Sequence, residues 1–196
     1  MLARVSNIEA FRQWKASEDQ SVEDLIYWLT TDNPSELMLA GTAFHKALEL
    51  VEPGEHETLS ALGFTFLLPE GEIALPSIRE LRAYGQYGAL EVTGCVDGLR
   101  GRRVNDHKTT GRCDPERYLS GYNWRFYLDL LDADEFVWDI YEIDEIKPRV
   151  YRVSDPQTLR QYRYPGMHED CERLAAEFYD FARVHLPDFN AMAKAA

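Results

Sequence analysis

In the stretch RRVNDHKTT, Asp106 and Lys108 lie two residues apart, and on a strand that spacing sends both side chains to the same face. A carboxylate and an ammonium then enter one site. Asp97 precedes Asp106 by nine residues across a short segment containing Gly101, so a tight antiparallel hairpin would set the two carboxylates side by side. Paired carboxylates repel each other unless a cation lies between them. A hard divalent cation such as Mg²⁺ prefers oxygen ligands and keeps waters for a phosphate and a nucleophile. Such an ion lowers the pKa of a bound water, and a nearby lysine orients that water or steadies the charge developing on phosphorus. These are the parts of phosphodiester hydrolysis.

The elements that must position these groups are legible along the chain. Ser21 with Asp24 three residues on caps a helix over 21–30, and Ser35 caps a second helix to about Leu50 that carries His45 and Glu49. From Ala61 to Lys108, short β-like runs (LGFTFLL, ELRAYGQYG, ALEVTGCVDGL, RRVNDHKTT) are broken by Gly and Pro. Asp114-Pro115-Glu116 starts a helix expected to run to about Leu131. FVWDIYEI (136–143) and RVYRV (149–153) read as strands, and 156–185 as a helical region with a break near Pro165-Gly166. This order implies a mixed sheet with helices packed on it.

Residues 91–110, EVTGCVDGLRGRRVNDHKTT, resemble motifs II and III of the PD-(D/E)XK nuclease superfamily, and more closely its RecB-like branch. Upstream, AGTAFHKALE (40–49) resembles that branch's motif I helix, a Gly-x-x-x-His followed by Glu. Downstream, YLSGYNWRFYLDLL (118–131) resembles the helix bearing its Gln-x-x-x-Tyr signature, here Asn123 and Tyr127. The resemblance spans roughly 40–131. It implies a restriction-endonuclease-like α/β core, a central mixed β-sheet flanked by α-helices, and Mg²⁺ or Mn²⁺ as cofactor. It also implies His45, Asp97, Asp106 and the backbone carbonyl of His107 as metal ligands and Lys108 as the catalytic lysine, with Glu49, Asn123 and Tyr127 around them. Trp124 and Tyr127 read as core aromatics, and Glu91 as an exposed acid. The size is similar to that of phage-type exonucleases of the RecE and lambda kind. Action on double-stranded DNA ends is therefore expected, in recombination, repair or phage replication, beside a single-strand annealing or recombination protein.

Composition bounds these expectations. The 196 residues are 45% hydrophobic and 28% charged, as in an ordinary globular chain, and one domain is expected: a motif-bearing core over about 35–153 and a helical region over about 156–185. No stretch reaches the roughly 20 apolar residues of a membrane span, and the N-terminus with Arg4, Glu9 and Arg12 has no signal-peptide pattern. A cytoplasmic protein, in the host cytoplasm if phage-encoded, is expected. Cys95, Cys113 and Cys171 read as free thiols, too few for an iron-sulfur cluster. The net charge of −13 opposes phosphate binding, but residues 98–125 hold seven Lys/Arg against three acids, a local +4. Arg100, Arg102, Arg103, Arg112 and Arg125 are the expected phosphate contacts. Two further readings stand beside the exonuclease: a structure-specific endonuclease using the same site, and a noncatalytic acidic protein mimicking DNA. The oligomeric state is open.

Overall fold

The computed structural model describes residues 1–70, 75, 78–187 and 189. Among them nine strands join one mixed sheet, with helices against it. The chain opens with β1 (Leu2–Arg4), α1 (Val5–Ala16), α2 (Val22–Thr30) and α3 (Glu36–Leu50). Then follow β2 (Thr58–Ala61), β3 (Phe64–Leu67), β4 (Ile78–Tyr87), β5 (Leu90–Arg100) and β6 (Arg103–Thr110). Two short helices, α4 (Pro115–Leu119) and α5 (Asn123–Leu130), lead to β7 (Glu135–Lys147), β8 (Val150–Val153), β9 (Gln157–Tyr162) and α6 (Met167–His185). The main strand order is β1-β5-β6-β7-β8-β3-β2, with β4 on β5 and β9 on β7.

Strand β7 is the spine. Its first nine residues are almost continuously shielded, as expected where both faces of a strand are covered. Phe136, Trp138 and Ile140 face a core built with α1, α5 and α6, whereas Tyr141 and Ile143 face a second core under Phe44, Ala47 and Leu48 of α3. Because β6 pairs in parallel with β7, Asp106 lies level with Trp138 and Lys108 with Ile140.

The caps at Ser21 and Ser35 form as expected, each side chain accepting a backbone N–H three residues on. Two elements depart from the sequence reading. The helix expected over about 115–131 is two helices: the buried Glu9 carboxylate takes the Tyr122 N–H at 2.7 Å, and that donor is lost to a continuous helical ladder. Asp114 precedes α4 without a side-chain capping bond. The region expected to be helical from 156 begins instead as the edge strand β9, whose residues 157–162 pair antiparallel with β7. Helix α6 starts only after Gly166, which has φ 87°, so the break at Pro165-Gly166 separates a strand from a helix. β1 and α1 carry no signal that sequence patterning revealed. The three cysteines are free thiols, and among the described residues no helix is long and apolar enough to cross a membrane.

Candidate active site

Asp97 stands where two strand ladders break. β4 follows one edge of β5, and β1 and β6 share the other; β1 pairs with residues 91–93 and β6 with 98–100. Past Gly98↔Asn105 the β5–β6 ladder stops. In its place the Asp97 carboxylate accepts the His107 N–H at 2.6 Å. Side-chain oxygen thus substitutes for a main-chain acceptor, and the parting strands open the sheet at that point.

His45 reaches Asp97 from α3, its Nδ1 lying 3.0 Å from Asp97 Oδ1. The approach depends on Gly41, one turn earlier, where a Cβ would come within 2.9 Å of Thr109 Oγ1 on β6. The glycine of the Gly-x-x-x-His pattern therefore lets α3 sit close to the strand bearing Asp106 and Lys108. A neutral imidazole that donates its Nδ1–H to a carboxylate keeps a lone pair on Nε2 for a metal, and the His45–Asp97 contact has that geometry. On β6, Lys108 Nζ donates to Asp106 Oδ1 at 2.8 Å. His107 leaves the opposite face, its ring 6.1 Å from that of Tyr141 and its Nδ1 buried without a partner.

Electrostatics divide these groups. Burial raises the Asp97 carboxyl, but the His45 hydrogen bond, the charges of His45 and Lys108 and the His107 N–H outweigh it and bring the pKa to about 2. Asp106 goes the other way, since burial raises its carboxyl more than Lys108 lowers it. For Lys108, burial favours the neutral amine, yet the charges of Asp106 and Asp97 and the bond to Asp106 hold it as an ammonium. Burial, then the charge of Asp106, raises the Tyr127 hydroxyl, which stays protonated beside the pair. Burial lowers His107 and leaves it neutral.

All of these except His107 line a single cleft of about 980 Å³. Its walls come from α1 (Ser6, Glu9, Gln13), the start of α3 (Leu37, Met38, Leu39) and the α4–α5 turn (Arg117, Gly121, Asn123). Five carboxylates line it, Glu9, Asp32, Glu80, Asp97 and Asp106, against two permanent cations, Lys108 and Arg117. Such a wall suits a divalent cation in its donor chemistry. Among the described residues no three metal-capable side chains are gathered tightly enough to enclose an ion as they stand, and His45 and Lys108 are paired with the two aspartates. Asn123 offers a buried, unpartnered Oδ1.

The expected arginines are placed elsewhere. Arg102 pairs with Asp132 and Asp134, and Arg103 with Glu135. The parallel pairing of β6 with β7 sets Arg103 level with Glu135, so acids some thirty residues away in sequence cancel the basic turn. Arg100 donates to the Leu75 carbonyl, and Arg125 donates to the Gly121 carbonyl and stacks on Tyr122 and Trp124. Among the described residues Arg112 contacts Thr110 through its main-chain N–H and carbonyl. Glu49 pairs with Lys46 rather than His45, and Glu91 is exposed. Sequence reasoning missed Glu9, Glu80, Arg4 and Arg82. Arg4 and Arg82 line a second hollow of about 240 Å³ that shares Ser6 and Tyr127 with the cleft, and neither forms an ion pair among the described residues. The alternation of β4 carried the only signal for Glu80 and Arg82.

Among solved structures, a provisionally assigned exonuclease from Eubacterium rectale superposes with a TM-score of 0.57 at 10% identity, over 95% of this chain and 82% of that one. The chain shares the fold of that protein. The likeness is consistent with the PD-(D/E)XK resemblance seen in the sequence. An alkaline exonuclease from Laribacter hongkongensis also matches, at 11% identity and a TM-score of 0.46, over 92% of this chain and 87% of that one. Its complex with dAMP matches at 12% identity and 0.46, over 99% and 94%. No protein-family model and no curated protein matches the sequence.

Proposed function

We propose that this protein is a divalent-metal-dependent DNA exonuclease of the PD-(D/E)XK type. The observation that carries the reading is the convergence of His45, Asp97, Asp106 and Lys108 on one cleft. Asp97, Asp106, the His107 carbonyl and His45 would hold Mg²⁺ or Mn²⁺, which when bound polarises the scissile phosphate and activates water. Lys108, beside Asp106, would orient the attacking water and offset the charge developing on the phosphate. Tyr127, whose hydroxyl stays protonated, lines the same cleft. Asn123 presents its unpaired amide oxygen to whatever fills the cleft, and a buried acceptor of that kind favours a ligand carrying a donor. The exposed apolar rim of Leu37, Met38 and Leu39 suits sugars and bases at a duplex end. Arg4, Arg82 and Arg117 meet phosphates, in place of the arginines committed at the β5–β6 turn.

The test compares linear and covalently closed duplex DNA in Mg²⁺ or Mn²⁺. Loss of the linear form alone supports an exonuclease, and nicking of the circle moves the same site to an endonuclease. No degradation of either, or degradation that survives Asp106→Ala, removes the nuclease reading.

A further inference from the structure

The register between β4 and β5 runs through Arg79↔Gly98 and Leu81↔Val96, which leaves Glu80 facing Asp97 without a ladder pair. Glu80 also has φ 54°, in the left-handed region. For a residue with a Cβ that conformation is unfavourable, and glycine is its usual occupant. Beside it, Arg79 donates to the Leu48 and Val51 carbonyls at the end of α3, at 3.1 and 2.8 Å. Glycine would hold that backbone conformation with less strain, so a glutamate there points to its carboxylate. The carboxylate is placed for use. Glu80 lines the main cleft with Asp97, Asp106 and Lys108, and a small adjoining hollow with His45, Asp97 and His107. Its Oε2 accepts the thiol of Cys95, two residues before Asp97, at 3.4 Å.

We infer that Glu80 is a further carboxylate of the metal-binding wall, set opposite Asp97 by the β4–β5 register and supplying one more oxygen to the divalent cation. This rests on the proposed nuclease reading. Strained non-glycine residues persist where the surrounding structure holds them for function, and Glu80 meets that description next to the reacting groups.

The test uses the full chain with Mn²⁺ as probe: calorimetric Mn²⁺ titration, thermal melting in metal-free buffer and degradation of linear DNA, for wild type, Glu80→Gln and Glu80→Gly. The Gln variant should melt within a few degrees of wild type and bind Mn²⁺ at least about tenfold more weakly. Gly should melt at or above wild type and lose the same affinity, with slower DNA degradation in both. Wild-type Mn²⁺ affinity and activity in either variant would overturn the inference alone. A wild type that neither binds Mn²⁺ nor degrades DNA would overturn the nuclease reading and the inference together. A Gly variant melting well below wild type would show that the side chain, not the cation, accounts for Glu80.

Discussion

Gly94, three residues before Asp97, tests whether the cleft's two walls are joined by packing. A Cβ built there would come within 2.3 Å of Tyr127 Cε1, 3.1 Å of its Cδ1 and 3.1 Å of Val5 Cγ2. The first distance is impossible for real atoms, so in Gly94→Ala the phenol ring must move. It has little room, being stacked on Phe136 with ring centres 6.1 Å apart. Overpacking of this kind costs about 1–3 kcal/mol. The ring also shares the electrostatic environment of Asp106 and Lys108, so activity should fall with stability. A double-mutant cycle by urea denaturation reads the cause. With Tyr127→Ala the worst clash disappears and only the tight approach to Val5 remains, so Gly94→Ala should cost at least about 1 kcal/mol less in that background. An equal cost in both backgrounds, or a neutral effect in wild type, would refute the packing argument.

Three other outcomes follow from the same geometry. Glu9→Ala should destabilise by about 1–3 kcal/mol in denaturant titration, since it removes the buried carboxylate that binds the Tyr122 N–H and the Arg12 guanidinium. His168 donates to the buried Asp129 carboxylate, and that bond raises the imidazole above its ordinary value. Its stabilisation is therefore complete below the unfolded pKa of about 6.5 and is lost as pH rises through the higher folded value. The melting-temperature gap between wild type and His168→Ala should narrow from pH 5.5 to pH 9, and a gap that widens would contradict the sign. Arg82→Ala should weaken DNA binding and flatten the slope of log K against log salt by about 0.9 for each phosphate that Arg82 neutralises. An unchanged slope would take Arg82 out of the interface.

Local chemistry made much of this architecture legible. The caps at Ser21 and Ser35 name their own partners within three residues, and the hairpin joining β5 to β6 follows from a short turn between alternating runs. The elements that escaped depend on distant partners. Nothing near Tyr122 signals that Glu9, 113 residues earlier, takes its N–H. β9 became a strand because the edge of β7 was available to it. At the candidate site, spacing on β6 was enough to pair Asp106 with Lys108, and the hairpin to add Asp97. The arginines show the limit of counting charge along a chain, because Asp132, Asp134 and Glu135 meet Arg102 and Arg103 only once β6 lies beside β7. Glu80 was hidden for a related reason: its strain is a property of backbone pairing, which composition does not carry.

The claim that two aspartates, a histidine and a lysine form one metal-dependent centre is tested most directly by a crystal structure grown with Mn²⁺. The expected result is an anomalous peak bounded by the carboxylates of Asp97 and Asp106 and the His107 carbonyl, with Lys108 Nζ turned away from Asp106. No peak in the cleft at saturating Mn²⁺, or one that persists there in Asp97→Ala crystals, would contradict it.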